Sequence, residues 1–152
     1  MLIFVGLTIA AQKNFPELLD ELVLIAGINV NLATQAIYEW HGSHTPLMTA
    51  CWNENHEIVE KLLKQKNIDI SYKDKYGDSA LHISAEKCSI SIKHLAKVPG
   101  LDWNDTNNRG HTPLYLGLLF GKDDVVKTII SVPNIDYRVK TNEGETLSLI
   151  HI

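Results

Sequence analysis

Few residues in this chain could do chemistry, and their spacing is poor for it. His41 and His44 flank Gly42-Ser43 and could both ligate a metal, but no cysteine or acidic residue stands beside them at zinc-ligand spacing. They read as solvated loop histidines. Asp123-Asp124 could pass for a carboxylate pair in acid–base catalysis, yet it opens a helical pattern, where acidic residues suit the helix dipole. The glycines fall at periodic intervals rather than clustering into a loop that could cradle phosphate. Cys51 and Cys88 lack the close spacing of a redox or metal motif and read as reduced, buried thiols in a reducing compartment. The sequence therefore predicts no catalytic residue, no metal, no cofactor and no small-molecule substrate.

The elements that must position any other kind of site are set by a repeat. His44 to Gly77 returns as Asp78 to Gly110 and again as His111 to Gly144. Leu47, Leu81 and Leu114 stand 34 and 33 residues apart, and Asp69, Asp102 and Asp136 stand 33 and 34 apart. A fixed period of this size is the mark of a stacked array whose units share one continuous core. Each unit reads as turn, helix, tight turn, helix. Thr45-Pro46 and Thr112-Pro113 place a hydroxyl at the N-cap and proline at the first helical position, where its missing N–H costs nothing. Ile58, Val59, Leu62 and Leu63 form a helical stripe, copied at Val125, Val126, Ile129 and Ile130. Each unit closes on a polar turn ending at Gly77, Gly110 or Gly144.

These motifs resemble the ankyrin repeat family. The family's Thr-Pro-Leu-His signature is nearly spelled at Thr45-Pro46-Leu47-Met48 and Thr112-Pro113-Leu114-Tyr115, and its histidine appears in Ser79-Ala80-Leu81-His82. The resemblance implies an all-α solenoid of helix-turn-helix units with protruding β-hairpin or finger loops. It also implies that His82 ties turn to helix by hydrogen bonds. Asn31 and Asn104 match the finger asparagine that some family members carry hydroxylated.

A fourth copy lies at the N-terminus, where Ala10 to Asn31 aligns without gaps on Ala50 to Ser71. Leu7 then matches Leu47, and Leu18, Leu22 and Val23 match Ile58, Leu62 and Leu63. The surplus residues fall in Leu32 to Ser43, making a longer first finger that carries Tyr38, Trp40, His41 and His44. This copy lacks Thr-Pro, so its first helix has no marked start. Met1 to Ala11 is apolar throughout; no basic residue precedes it, and it reads as a first helix rather than a signal-peptide core. It is too short for a membrane span. The repeats are placed at about 2–41, 42–76, 77–109 and 110–143, with a further unit opening at 144–146, in a domain of residues 1–146. The last residues, Leu147 to Ile152, match the translation of a transposase-end sequence used in DNA library preparation and are a candidate adapter artefact. On that reading the chain is a fragment of a longer array.

Fourteen basic against 18 acidic residues, with no block of like charge, argue against nucleic acid, which calls for a basic stripe. The expectation is an intracellular module, cytoplasmic or nuclear, that binds a protein partner without catalysis. The alternative is a targeting or regulatory arm of a larger enzyme or channel. In ankyrin arrays the concave face carries the partner, and the resemblance assigns that face residue by residue. From the first helices come Trp52 and Asn53, Glu86 and Lys87, Leu119 and Phe120. From the finger tips come Tyr76 and Asp78, then Arg109 and His111, with Lys75, Asn108, Asn142 and Glu143 beside them. Exposed aromatics with arginine nearby have the composition of binding hot spots. Trp103 reads as framework packing.

Repeat three is one residue short between Cys88 and Leu95, which brings Lys93 and Ala96 near positions held by aliphatic residues in its neighbours. Its second helix is expected to be the weakest packed of the array and the first to open.

Overall fold

The helix starts are those the caps dictate. Thr45 is extended, and its Oγ1 accepts from the Met48 N–H at 3.3 Å, with Pro46 in the first turn. Thr112 repeats the arrangement, accepting from Tyr115 N–H at 3.1 Å ahead of Pro113. In the computed structural model, which describes residues 2–25, 27–35, 43–87 and 89–147, the described residues form four helix pairs. They are α1 (Leu2–Lys13) with α2 (Pro16–Val23), α3 (Pro46–Trp52) with α4 (His56–Leu63), α5 (Ala80–Lys87) with α6 (Ser89–Leu95), and α7 (Pro113–Leu119) with α8 (Asp123–Ile130). The first helices stack in the order α1, α3, α5, α7 and the second in the order α2, α4, α6, α8. This is the all-α repeat solenoid expected from the sequence. None of these helices is long and apolar enough to cross a membrane.

Helix α1 runs several residues farther back from its signature leucine than α3 or α7 does, because no Thr-Pro pair sets its start. In the long first finger, β1 (Thr34–Gln35) pairs antiparallel with β2 (Ser43–His44), Thr34 opposite His44. Tyr38, Trp40 and His41 lie outside the described residues, as do Cys88 and residues 148–152.

Stacking buries the first helices on two sides. Ala80 and Ile83 join the core shared with α1 and α3, while Leu81 and Ala85 join the core shared with α7. Residues Ala80 to Ala85 are therefore all buried, and α5 shows no amphipathic stripe. A small residue lets the two helices of the last pair approach closely. A Cβ on Gly117 would stand 3.0 Å from Val125 Cγ1. Trp103 is buried in the second core, as framework packing requires, and Cys51 is fully buried.

The second helices bury Ile58, Val59 and Leu62 in α4 and Val125 and Ile129 in α8. In α6 the fully buried side chains are Ser91, Ile92 and Leu95. The missing residue falls before Ser91, so Lys93 shares the exposed register of Glu60 and Lys127 rather than an aliphatic slot. The polar substitution in the core is Ser91, in the register of Ile58 and Val125. Leu18 differs from its counterpart in another way: Ile58 is fully buried, but Leu18 is 37% exposed on the open side of the first pair.

The fingers are built by one device repeated. Asp74 Oδ1 accepts from the N–H groups of Tyr76 (2.8 Å) and Asp78 (2.9 Å). Asn107 Oδ1 accepts from Arg109 and His111, both at 3.0 Å, and Thr141 Oγ1 accepts from Glu145 N–H at 3.2 Å. Successive tips then join edge to edge: Asn108 N–H donates to Tyr76 O and Asn142 N–H to Arg109 O, both at 3.0 Å. These approaches need glycine at Gly77 and Gly110, where φ is +76° and +77° and a Cβ would stand within 2.8 Å of the neighbouring asparagine.

Candidate partner-binding site

The turn-capping device aims one side chain per repeat into the angle between fingers and first helices. His44, Asp78 and His111 hold this register, each just ahead of a first helix. Between them and the first helices lies a cavity of about 320 Å³. Trp52, Tyr76, Asp78, Glu86, Arg109, His111, Leu119 and Phe120 line it, so the structure brings together eight of the ten residues assigned to the concave face. Asn53 stands outside it at the C-cap of α3, donating from Nδ2 to Thr49 O at 2.8 Å. Lys87 holds its ammonium 4.1 Å from the centroid of the Trp52 ring and 2.6 Å from Glu86 Oε1.

The aromatic residues divide by burial. Tyr76 and Phe120 are 44% and 47% exposed, and Leu119 is 49% exposed, an apolar rim on which the Lys75 ammonium stands 4.9 Å from the Tyr76 ring centroid. Trp52 is half-buried: one part packs on the first core, and its ring takes the Lys87 ammonium. It serves framework and surface together.

The lining also contains Asn108, one of the expected finger-tip positions, and His44, Asp74 and Asn107, which the sequence reading did not assign to the site. His44 is a correction. It is no solvated loop residue but 7% exposed, with Nε2 3.3 Å from Asp74 Oδ2. The signal for it was present, since His44 shares the repeat register of Asp78 and His111. The finger that closes the same unit, some 30 residues on, supplies its partner Asp74, which local sequence does not reveal.

The ionisable groups of the cavity sit in unlike settings. Burial alone would raise the Asp74 carboxyl, but hydrogen bonds from His44 and from the Asp78 and Tyr76 N–H groups outweigh it and hold the group below its ordinary range. Asp78 goes the other way. Burial pushes it up, and the nearby carboxylates of Asp74 and Glu86 add to this, against the hydrogen bond from Asn107 Nδ2 at 2.7 Å. Burial, then the Arg109 guanidinium, lowers the His111 imidazole.

His82, beside this cavity, does what its place in the signature implies. Its Nδ1 lies 3.3 Å from the Ser79 N–H and 2.9 Å from Ser79 Oγ, so it accepts there, and Nε2 donates to His111 O at 3.1 Å. The ring is fully buried and its pKa is lowered to about 4, chiefly by that burial. In the next unit Tyr115 fills the same slot. Its hydroxyl donates to Glu145 Oε2 at 2.5 Å, and the phenol is pushed up to about 12 by that bond. Among the described residues no group of three or more His, Cys, Asp or Glu could hold a metal ion.

A family model for ankyrin repeats (three copies) matches residues 7–107. The chain is 26% identical over 144 residues to the Fowlpox virus (strain NVSL) protein FPV031, named for its ankyrin repeats, covering 94% of this chain and 40% of that protein. It is 22% identical over 135 residues to a Rickettsia bellii (strain RML369-C) protein named in the same way, covering 89% of this chain and 73% of the other.

Proposed function

Because the chain belongs to the ankyrin repeat family, we propose that it is a non-catalytic scaffold that binds a protein partner on its concave face and finger tips. Ankyrin repeats generally mediate protein–protein interaction. The observation that carries the reading is the cavity itself, where three finger-register side chains converge with the exposed apolar rim of Tyr76, Leu119 and Phe120. Exposed aromatics around a concave surface, with an arginine beside them, have the chemistry of a binding hot spot. An intracellular location rests on the sequence reading of Cys51 and Cys88 as reduced, buried thiols.

A second reading places the same surface in a larger protein, as a targeting or regulatory arm. It is favoured by the length of the fowlpox relative, of which this chain spans 40%. Sequencing the transcript across both ends separates the two readings.

The test of the surface is selection of a random heptapeptide display library on the intact chain. Trp52→Ala and Phe120→Ala should each weaken the selected peptides about tenfold or more while the helical spectrum persists. Lys127→Ala, on the outer face of α8, should leave binding unchanged. Selected peptides indifferent to both aromatic substitutions would sink the concave-face reading.

A further inference from the structure

Each acidic group of the cavity has a different electrostatic partner. Asp74 is paired with His44 at 3.3 Å, and Glu86 with Lys87 at 2.6 Å. Asp78 has neither. Its Oδ1 accepts from the neutral Asn107 amide, and no lysine, arginine or histidine forms a salt bridge with it among the described residues. Of the two imidazoles in the lining, His44 is taken by Asp74, and His111, whose charge would favour the Asp78 carboxylate, is held toward its neutral form by burial. A partly buried carboxylate without a counter-charge thus lies in a cavity whose rim is aromatic and apolar.

We propose, resting on the concave-face reading, that this cavity seats a basic side chain of the partner, an arginine or lysine, against Asp78. Charge complementarity chooses the occupant. An acidic or phosphorylated side chain seated at Asp78 would be repelled by it, since Arg109 stands at the rim rather than beside that carboxylate. A purely apolar one would bury Asp78 further and leave it without a cation. A basic side chain places its charge on the carboxylate and lays its methylene stem along Phe120, whose face also attracts cations, beside Tyr76, which already holds the Lys75 ammonium 4.9 Å from its ring centroid. The array already shows the second contact within itself, in the Lys87 ammonium over Trp52. Arg109 stands at the rim without a salt bridge among the described residues. Its guanidinium is placed to take a carbonyl or acidic group flanking the basic residue, which orients the partner segment.

The test is a titration of the intact, isotope-labelled chain with three blocked amino acids: N-acetyl-arginine amide, N-acetyl-lysine amide and N-acetyl-norleucine amide. The expected result is that the arginine or lysine probe shifts the amide resonances of Tyr76, Asp78 and Phe120, and norleucine does so at least about tenfold more weakly. Asp78→Asn should remove that difference with the rest of the spectrum intact. Glu86→Gln gives a second variant should the first disturb the turn. Equal shifts from norleucine and arginine would overturn the basic seat while leaving the cavity as a docking site. Shifts from arginine unchanged by both substitutions would overturn it as well. If no probe reaches the cavity, the basic seat falls, and the concave-face reading is judged separately by the Trp52 and Phe120 variants on display-selected peptides.

Discussion

His44 Nε2 and Asp74 Oδ2 stand 3.3 Å apart between two successive fingers, at the two ends of one unit, with both side chains nearly buried. One repeat later the same register holds Asp78 and Asn107, bonded at 2.7 Å. A single finger-to-finger tie is thus written once with a titrating acceptor and once with a neutral donor. The exchange is local because the finger cap needs only an oxygen acceptor, which aspartate and asparagine both supply.

The first prediction follows from that substitution. Asp74 has its pKa lowered in the fold, so the stability it contributes is present above the unfolded value, about 4, and lost as pH falls through the lower folded value. Asp74→Asn should keep the finger cap, as Asn107 does, and lose only what the carboxylate charge adds to its hydrogen bonds, about 1 kcal/mol at neutral pH. Urea melts below pH 4 should show the native chain losing stability more steeply than the variant. Parallel curves would exclude this role.

His82 governs a separate window. Its folded pKa of about 4 lies below the unfolded value near 6.5, so the unfolded chain binds the proton first. The contribution of the neutral ring is complete above about pH 6.5 and declines as pH falls toward 4, by an amount on the order of 3 kcal/mol. His111 is lowered too and adds in the same direction. Replacing His82 by Gln should flatten the stability profile between those limits and also destabilise the chain at neutral pH. A slope unchanged by the substitution would show that the ring does not titrate there.

How far the sequence reveals these relationships depends on whether their cause is local. Thr45, Pro46, Leu47 and their copies signal helix starts because capping and proline geometry act within a few residues. The stripe of Ile58, Val59 and Leu62 is legible for the same reason. His44 was not legible as a buried residue, because the next finger covers it. Lys93 was misplaced because a deletion in the turn before α6 shifts the register, and alignment from the far side of the gap restores it. Leu18 matches a core position but is 37% exposed. For the site, periodicity located the register of Asp78 and His111. It did not distinguish Asn53, a helix cap, from Trp52, a wall of the cavity.

Gly77 and Gly144 offer a paired test of finger stacking. Both have positive φ, +76° and +81°, so alanine costs about 1–2 kcal/mol of backbone strain at either position. Only at Gly77 would the new Cβ also meet a neighbour, 2.5 Å from Asn108 Oδ1 and 2.7 Å from its backbone nitrogen. That nitrogen cannot retreat without breaking its bond to Tyr76 O. Gly77→Ala should therefore cost on the order of 3–4 kcal/mol and Gly144→Ala about 1. Equal losses in chemical denaturation would mean that the tips do not bear on each other.

Asn31 and Asn104 tie neighbouring units through both ends of their amides. Asn31 donates to Asn67 O at 2.6 Å and accepts from Asp69 N–H at 2.8 Å; Asn104 does the same with Asn134 O and Asp136 N–H, each at 2.8 Å. The register between them is held by Ser71, too short to span the junction, whose hydroxyl donates instead to Asp69. Ser71→Asn should complete the series by reaching Gly100 O and the Asp102 N–H, a gain of about 1 kcal/mol. A rise in Tm, lost again when Ser71→Gln is used, would establish the tie; an unchanged or lower Tm would refute it.

The last prediction concerns where the array opens. In α4 the buried stripe is Ile58, Val59 and Leu62, whereas α6 places Ser91 in the first of those slots and keeps Ile92 and Leu95. A serine buries less apolar area than isoleucine and is costlier to desolvate, so α6 gains less from packing than α4. Ala96 is exposed beyond its end, where Leu63 is partly buried on the first core. Repeat arrays open at their weakest unit because each contacts only its neighbours. Amide exchange from His94 to Lys97 should accordingly run faster than from Val59 to Leu63. Equal protection of the two segments would mean that the junction to α8 compensates for Ser91.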